Sequence, residues 1–341
     1  MCDVNRPLFF EKNRVRRIYT GGKQFATFFG DDSSEGYYPE EWVCSYVKAL
    51  NEGSTDEKEG ISRLTTGEYF DDILREQREK LLGPNREELG VLVKFLDSSI
   101  RLPLQVHPDK AFSRQYFQSE YGKTESWVIL GTGEDACIYF GFSEEVTKEQ
   151  LIQAFEEDEE KLLSLVNKIP VKVGDVFLIR GKAVHAIGKN CLLLEVQEPT
   201  DFTIQPEKNC GEYILNDKEK YLGLTKEQAF DCFDLELVGI KKTLASATCK
   251  KTYNGNKEIL ISYEDTPCFE VIRYQIERIP EMLSGTSIYV VTDGDGIVSW
   301  GSESVSVKRG DYFFVPYCMD EMVSVRSETG IEIIQCVPCK L

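Results

Sequence analysis

The chain has 341 residues, which is enough for about two domains of ordinary size. Hydrophobic residues make up 41% of it and charged residues 29%, so a disordered chain or a fibre is excluded. Its net charge is −18, from 40 basic and 58 acidic residues. Such a field repels phosphate backbones and anionic lipid, and we therefore expect neither nucleic-acid nor membrane partners.

The location of the protein is predicted to be cytoplasmic. No apolar run approaches the roughly 18 residues of a membrane helix. The opening segment MCDVNRPLFFEKNR has neither the apolar stretch nor the small-residue cleavage site of a secretory signal. Eleven cysteines, an odd number spread from Cys2 to Cys339, are typical of buried thiols in a reducing compartment rather than of a disulfide framework.

The first half of the chain begins with mixed short strands and helices and then becomes rich in strands. Apolar residues at helical spacing within residues 65–82, followed by Gly83-Pro84, predict a helix that ends there. From Ser99 onward, short apolar runs with Gly, Pro or Asp between several of them indicate a β-sandwich or barrel. One helix interrupts these strands over about residues 147–167, where Thr147 and Gln150 have capping-box spacing.

A second strand-rich stretch from about Cys268 repeats the first. Gly174-Asp175 is followed by an apolar run and, eleven positions after the glycine, by His185; Gly310-Asp311 is followed in the same way by Glu321. Residues 287–300 are predicted to form a hairpin with its turn at 293–296. The repeat predicts two β-barrels of one type, of which only the first keeps the imidazole.

Only two histidines occur in the chain, His107 and His185. Gln105 and His107 are two apart on a predicted strand, so their side chains point to the same face. Glu125 opens the next apolar run. One amide, two imidazoles and one carboxylate would suit a divalent cation such as zinc, if these strands line one barrel. The alternative is that each histidine is an ordinary core or surface residue.

These motifs resemble those of the class I mannose-6-phosphate isomerases, which are zinc enzymes of the cupin fold. The resemblance is carried by QVHPDK, a Lys-x-Glu, the segment YFGF, the GD…HAIG pair and an E-x-Q…D segment, and its specific part covers residues 99–205. It implies a mainly β fold of tandem double-stranded β-helix (cupin, or jelly-roll) barrels with a helical insertion. We assign residues 1–240 to a metal-binding domain and 241–341 to a second, metal-free domain.

The resemblance also implies a site and a reaction. The ligands of one Zn²⁺ per chain would be Gln105, His107, Glu125 and His185. The reaction would interconvert mannose 6-phosphate and fructose 6-phosphate through a metal-stabilised enediolate, so the expected partner is a small sugar phosphate. Lys123 matches the lysine of the family's K-x-E and is a candidate for phosphate contact or proton transfer. The alternative is that Lys123 neutralises Glu120 on a loop.

The E-x-Q…D segment departs from the family pattern at one position. Asp201 and Gln205 are candidate catalytic residues by this resemblance. Gln205, however, stands where the family has an arginine, and an amide cannot replace the charge or the bidentate fork of a guanidinium. Arg180, Lys182 and Lys110 are tentative phosphate contacts, with surface positions as the alternative for each. The departure at Gln205 also leaves open an altered cupin that acts on another sugar, or a metal-dependent sugar-binding or sensor protein.

Overall fold

The computed structural model describes residues 2–157 and 159–340. The strands within these ranges are β1 Leu8–Phe9, β2 Arg14–Val15, β3 Glu40–Val43, β4 Leu92–Ser98, β5 Glu125–Thr132, β6 Cys137–Phe142, β7 Val166–Pro170, β8 Val176–Ile179, β9 His185–Ile187, β10 Cys191–Gln197, β11 Asn209–Cys210, β12 Tyr213–Ile214, β13 Thr252–Asn254, β14 Lys257–Ile261, β15 Phe269–Ile276, β16 Glu281–Leu283, β17 Ser287–Trp300, β18 Glu303–Lys308, β19 Tyr312–Val315, β20 Val323–Arg326 and β21 Ile331–Pro338.

The helices are fewer and shorter than the strands. They are α1 Lys23–Phe25, α2 Phe70–Glu76, α3 Arg78–Leu82, α4 Lys110–Tyr116, α5 Lys148–Glu157, α6 Glu159–Ser164, α7 Asp217–Tyr221, α8 Lys226–Phe230 and α9 Ile240–Ala247, with a π-helical turn at Ala26–Gly30 and a 3₁₀ turn at Tyr317–Met319. The predicted mainly β fold is confirmed.

The first barrel consists of two antiparallel sheets. One has the order β2-β3-β4-β10-β5-β8 and the other the order β7-β6-β9. The core between them contains Trp127 and Ile129 from the larger sheet and Ile138 and Phe140 from the smaller. Sheets that face each other in this way bury alternate side chains of every strand, so each strand has one face directed into the barrel.

The second barrel is built on a ten-stranded sheet formed mostly from β13 to β21. Its main order is β1-β19-β17-β21-β15-β14-β13, with β16, β18 and β20 attached. β1 comes from the start of the chain and pairs with β19, where Leu8 lies opposite Phe314. The division into domains at residue 240 stays a prediction.

A core shared by both barrels joins them. In β10, Leu192, Leu194 and Val196 belong to this core, together with Val290 and other residues of the ten-stranded sheet, whereas the intervening Leu193 faces the first barrel. The strand period of two therefore places Glu195 on the inner face as well. A charged residue there lies inside the first barrel rather than in solvent.

The repeat predicted from the sequence is visible in the turns that precede β8 and β19. The Asp175 carboxylate accepts a hydrogen bond from Lys172 N at 2.9 Å, and the Asp311 carboxylate accepts one from Lys308 N at 2.9 Å. Gly174 and Gly310 have φ of 88° and 89°, a conformation that favours glycine. The shared Gly-Asp signature thus encodes the same turn twice.

Two secondary-structure predictions differ from the structure. Residues 287–300 form the single strand β17 rather than a hairpin, because Gly294 (φ 74°) and a register shift between Val291 and Asp293 bend the strand without reversing it. The helical insertion is confirmed, as the two helices α5 and α6, and Thr147 and Gln150 form the capping hydrogen bonds of α5. Its predicted end is wrong, however, since residues 166–170 form β7 and pair with β6.

Candidate metal centre and active-site cavity

The inner face of the first barrel carries charged residues side by side. In the antiparallel register, Glu195 of β10 lies opposite Lys94 of β4 on one side and opposite Trp127 of β5 on the other. Lys94 in turn lies opposite Trp42 of β3, and its ammonium group is 4.5 Å from the centre of that indole ring. Because paired residues share a face, register alone brings these charges together.

The two imidazoles meet on this inner face. His107 Nε2 and His185 Nε2 are 3.1 Å apart, and both rings are buried. His107 Nδ1 donates to Phe202 O at 2.8 Å, and His185 Nδ1 donates to Ala183 O at 2.9 Å. When Nδ1 carries the proton, Nε2 presents a lone pair. The backbone carbonyls therefore select the tautomer in which both Nε2 atoms can bind a cation.

The pKa values of both imidazoles favour the neutral, metal-binding form of the rings. Burial, assisted by the nearby Lys123 ammonium, lowers the pKa of His107 to about 3. Burial likewise lowers the pKa of His185. The rings are thus neutral near neutral pH, which is the protonation state that ligates a metal.

Glu125 completes a cluster of potential ligands. Its carboxylate lies 3.2 Å from His107 Nε2 and 3.5 Å from His185 Nε2. The ligand atoms of these three buried residues lie within 4.8 Å of one another. Although burial opposes ionisation, the Lys123 ammonium outweighs it and holds the pKa of Glu125 well below its ordinary value. Two neutral imidazoles and one carboxylate form a donor set that suits zinc.

Gln105 lies beside these three residues. Its backbone pairs with that of His185, through N–H···O bonds of 2.9 and 3.0 Å. Val106 is completely buried and pairs with Ile204 on the other side of the segment, as the predicted alternation requires. The structure therefore clusters three of the predicted ligands and places the backbone of Gln105 next to His185, with Gln105 in the cavity lining.

Lys123 is directed into the cluster and not toward Glu120. Its ammonium group is 2.8 Å from His107 Nε2, contacts the Glu125 carboxylate and lies 3.7 Å from Glu195. Glu120 pairs with Arg114 instead, so the alternative in which Lys123 neutralises Glu120 is wrong. Burial acts against the charged form, but the two neighbouring carboxylates outweigh it and raise the pKa of Lys123. A cationic group is thus already seated against two of the predicted ligands.

A second group of buried charges surrounds Asp201. Arg17 donates two hydrogen bonds to its carboxylate, at 2.9 and 2.7 Å, and also lies 3.0 Å from Glu40. Lys94 lies 3.6 Å from Asp201 and 3.7 Å from Glu40. Despite burial, Arg17 and Lys94 hold the pKa of Asp201 well below its ordinary value. Asp201 is therefore a fixed anion that pairs with Arg17.

Glu195 lies between the two groups. Its carboxylate is 3.7 Å from Lys123 and 3.8 Å from Lys94. Burial and the negative charge of Glu125 raise the pKa of Glu195 to about 7, although both lysines act in the opposite direction. A carboxyl group with such a pKa can gain or lose a proton near neutral pH, which is a property of general acids and bases.

A cavity of about 520 Å³ lies next to the buried charges and is lined by Lys123, which contacts His107 and Glu125. The predicted residues Gln105, Lys123, Asp201 and Gln205 line it, together with Arg17, Glu40, Lys94 and Glu195. An apolar part of the wall contains Phe117 and Phe202, whose rings stack with centres 4.7 Å apart. This volume lies within the range of cavities that bind small molecules, and the lining combines apolar surface with converging polar groups.

The structure does not bring Arg180, Lys182 or Lys110 to the cavity. Arg180 instead donates to Asp265 O at 2.8 Å. In the turn after β8, Lys182 N donates to His107 O, and a Cβ on Gly181 would lie 2.9 Å from Asp109 Cα. This close backbone packing fixes the turn outside the cavity lining. Lys110 is 40% exposed and pairs with Glu198.

Several cavity residues carry no signal of their own in the sequence. Arg17, Glu40 and Lys94 precede the motif region, and nothing in their spacing distinguishes them from solvated charges. Glu195 stands out only as the first residue of the E-x-Q segment. A further signal is present for Glu195, which is the only charged residue of β10, since a charge within a buried strand needs a partner.

Proteins with similar sequences over most of this chain are named mannose-6-phosphate isomerases. A protein of Streptococcus mutans named mannose-6-phosphate isomerase is 29% identical over 315 residues, covering 91% of this chain and 92% of that protein. The probable mannose-6-phosphate isomerase GmuF of Bacillus subtilis is 27% identical over 317 residues, covering 92% of this chain and 94% of GmuF. This chain is a relative of the mannose-6-phosphate isomerases. The resemblance predicted from the motifs is thereby confirmed, although no family model matches the chain.

The fold of this mannose-6-phosphate isomerase relative agrees with solved structures. The crystal structure of the Bacillus subtilis mannose 6-phosphate isomerase matches it with a TM-score of 0.77 at 21% identity, over 97% of this chain and 99% of that one. The predicted cupin-type fold is therefore confirmed. Among the described residues, none of the helices has the length and apolar character needed to cross a membrane.

Proposed function

We propose that this protein is a metal-dependent isomerase that interconverts mannose 6-phosphate and fructose 6-phosphate. The single observation that carries the proposal is the cluster of His107, His185 and Glu125, which contacts the cavity-lining residue Lys123 in a chain that aligns with mannose-6-phosphate isomerases over nine-tenths of its length. The lining residues Lys123 and Glu195 supply groups that can exchange protons next to that cluster. A ligand cluster, a cavity and proton-exchanging groups together meet the chemical demands of this reaction.

The proposed ligands of the cation are His107, His185, Glu125 and Gln105. The buried group contains three cations, Arg17, Lys94 and Lys123, and four carboxylates, Glu40, Glu125, Glu195 and Asp201, so it has an excess of one negative charge when Glu195 is ionised. An excess of buried negative charge is unfavourable unless a cation compensates it. When bound, zinc would supply a Lewis acid that polarises the sugar oxygens.

The reaction moves a proton between two neighbouring carbons of the sugar and changes the position of the carbonyl group. A group near the substrate must accept the proton from one carbon and return it to the other. Glu195, with its pKa near 7, is suited to this exchange. The Lys123 ammonium can stabilise the negative oxygen of the enediolate and exchange a proton with it. Glu195 is held by the register of β10, whereas Lys123 lies in the loop before β5, where its backbone N–H donates to Pro108 O at 2.9 Å.

Asp201 has a different proposed role. Its bidentate bond to Arg17 and its lowered pKa make it a poor base. Leu50 N also donates to it at 2.9 Å, so Asp201 joins the loop after β3 to the barrel. We assign Asp201 to the positioning of Arg17 and of this loop along the cavity wall.

A coupled assay of mannose 6-phosphate turnover tests the proposal. Turnover by metal-loaded protein, its loss after chelation and its recovery on adding zinc would support an isomerase. A folded, metal-loaded sample without turnover would contradict it.

A second candidate function is favoured by Gln205. This residue lines the cavity where the family has an arginine, and its amide donates to Glu219 O instead. A protein that binds the sugar through the metal but does not turn it over, or that acts on another sugar, would agree with this substitution. Saturable binding of mannose 6-phosphate without turnover would favour this candidate.

A further inference from the structure

The basic residues of the cavity fall into two groups. Arg17, Lys94 and Lys123 are neutralised by nearby carboxylates, and both lysines are at most 4% exposed. Lys48 and Lys218 also line the cavity but are exposed. A phosphate dianion is bound most readily by cations that are not already paired inside the protein. The two exposed lysines at the rim are therefore the candidates for its partners.

Lys48 lies on the loop after β3. Within the described residues it makes no hydrogen bond or ion pair. The loop itself is anchored, because Ala49 N donates to Glu59 O at 2.9 Å and Leu50 N donates to the Asp201 carboxylate at 2.9 Å. A fixed backbone thus presents an unpaired ammonium group at the rim of the cavity.

Lys218 approaches the rim from the other wall. It lies on α7, whose first turn is held by a capping box between Asn216 and Glu219. This helix packs directly on position 205, since Gln205 N donates to Lys220 O at 3.0 Å and the Gln205 amide donates to Glu219 O at 3.4 Å. Lys218 therefore lies on the helix that packs against Gln205 at the cavity wall.

An ion pair joins the two walls at this rim. The ammonium group of Lys218 lies 2.6 Å from the Glu52 carboxylate, and the two side chains are 72% and 38% exposed. Glu52 belongs to the loop that carries Lys48 and also lines the cavity. Because exposed ion pairs contribute little to stability, a phosphate group can displace this carboxylate at little cost.

We propose that Lys48 and Lys218 form a phosphate-binding subsite at the rim of the cavity, and that Glu52 competes with the phosphate for Lys218. The inference rests on the proposed function, because it assumes that the sugar is phosphorylated. It assigns the phosphate to the rim and the reacting carbons to the end of the cavity near His107 and His185.

Steady-state kinetics with mannose 6-phosphate tests the subsite. Lys48→Met and Lys218→Met should each raise KM about tenfold, and the double variant about 100-fold, with kcat changed less than about twofold, because the phosphate lies away from the reacting carbons. Glu52→Gln should lower KM by about two- to fivefold, because Lys218 loses its competitor. The matched control is Lys189→Met, which removes an exposed lysine paired with Asp135 outside the cavity and should leave KM unchanged.

Calorimetric titration with mannose 6-phosphate and with mannose separates the subsite from the proposed function. If the subsite is correct, metal-loaded protein binds the phosphorylated sugar more tightly and the double variant loses this preference, even in a protein without turnover. If the protein turns over mannose 6-phosphate but the double variant keeps its KM, the subsite is wrong and the proposed function stands. Equal affinity for both sugars in a protein without turnover overturns both.

Discussion

His107 Nε2 and His185 Nε2 face each other at 3.1 Å, while a backbone carbonyl accepts the Nδ1 proton of each ring. Two lone pairs at this distance repel each other unless a cation or a proton lies between them. Since both rings are buried and their pKa values are lowered, a proton is disfavoured near neutral pH. The arrangement therefore agrees with a bound metal ion.

Replacing either histidine with alanine should remove the metal. We expect about one equivalent of zinc per chain in the parent protein and less than about a tenth in His107→Ala or His185→Ala, because three ligands or fewer bind weakly at this site. Elemental analysis after dialysis measures this. Glu321→Gln changes the residue at the equivalent position of the second repeat and should retain the metal. Full metal content in both histidine variants would contradict the assignment.

Lys123→Met should lower kcat about 10²- to 10⁴-fold with folding and zinc content retained, because the residue is proposed to exchange a proton with the substrate. Steady-state kinetics and elemental analysis of the same preparation measure both effects. Lys110→Met is the control, since Lys110 precedes the same loop region but lies outside the cavity lining. Equal kcat values for the two variants would argue against a catalytic role for Lys123.

Asp201→Asn should destabilise the protein by about 3–5 kcal/mol, because it leaves the buried Arg17 guanidinium without its bidentate partner. Urea unfolding measures the change. Adding Arg17→Met should recover part of the loss, because no unpaired charge then remains. Glu157→Gln, which breaks the exposed pair with Lys161, should change stability by less than about 0.5 kcal/mol. If Asp201→Asn also lowered the free energy of unfolding by less than about 0.5 kcal/mol, the Asp201–Arg17 pair would contribute little to stability.

Glu195 should make stability depend on pH. Its pKa of about 7 exceeds the ordinary value, so the folded protein holds this proton more tightly than the unfolded chain. The stabilisation is complete below about pH 4.5 and is lost as the pH rises through 7. Glu195→Gln removes the titration, so the stability of this variant relative to the parent should rise by about 2 kcal/mol between pH 5.5 and 8.

The measurement is urea unfolding of chelator-treated protein at both pH values. Taking the difference between variant and parent cancels the titration of groups common to both. Glu157→Gln serves as the control, because its carboxylate is exposed and pairs with Lys161 at the surface. A difference that does not change with pH would place the pKa of Glu195 near its ordinary value.

The sequence by itself was sufficient to propose the four ligands and to recognise the repeat. Gln105 and His107 could be assigned to one face because a strand alternates with a period of two, and His185 could be paired with them because the chain has only two histidines. The Gly-Asp turns before β8 and β19 were also recognisable, because a positive φ and a short capping side chain are local requirements.

Only the tertiary structure decided which charges join these ligands. Arg17 and Asp201 are 184 positions apart, and Lys94 meets Glu195 through the pairing of β4 with β10. No local pattern separates such residues from solvated ones, because their partners are set by strand register and chain packing. The prediction that Arg180 lies at the cavity was wrong for the same reason. The direction of a side chain at a turn depends on the backbone packed against it, and composition and spacing do not encode that packing.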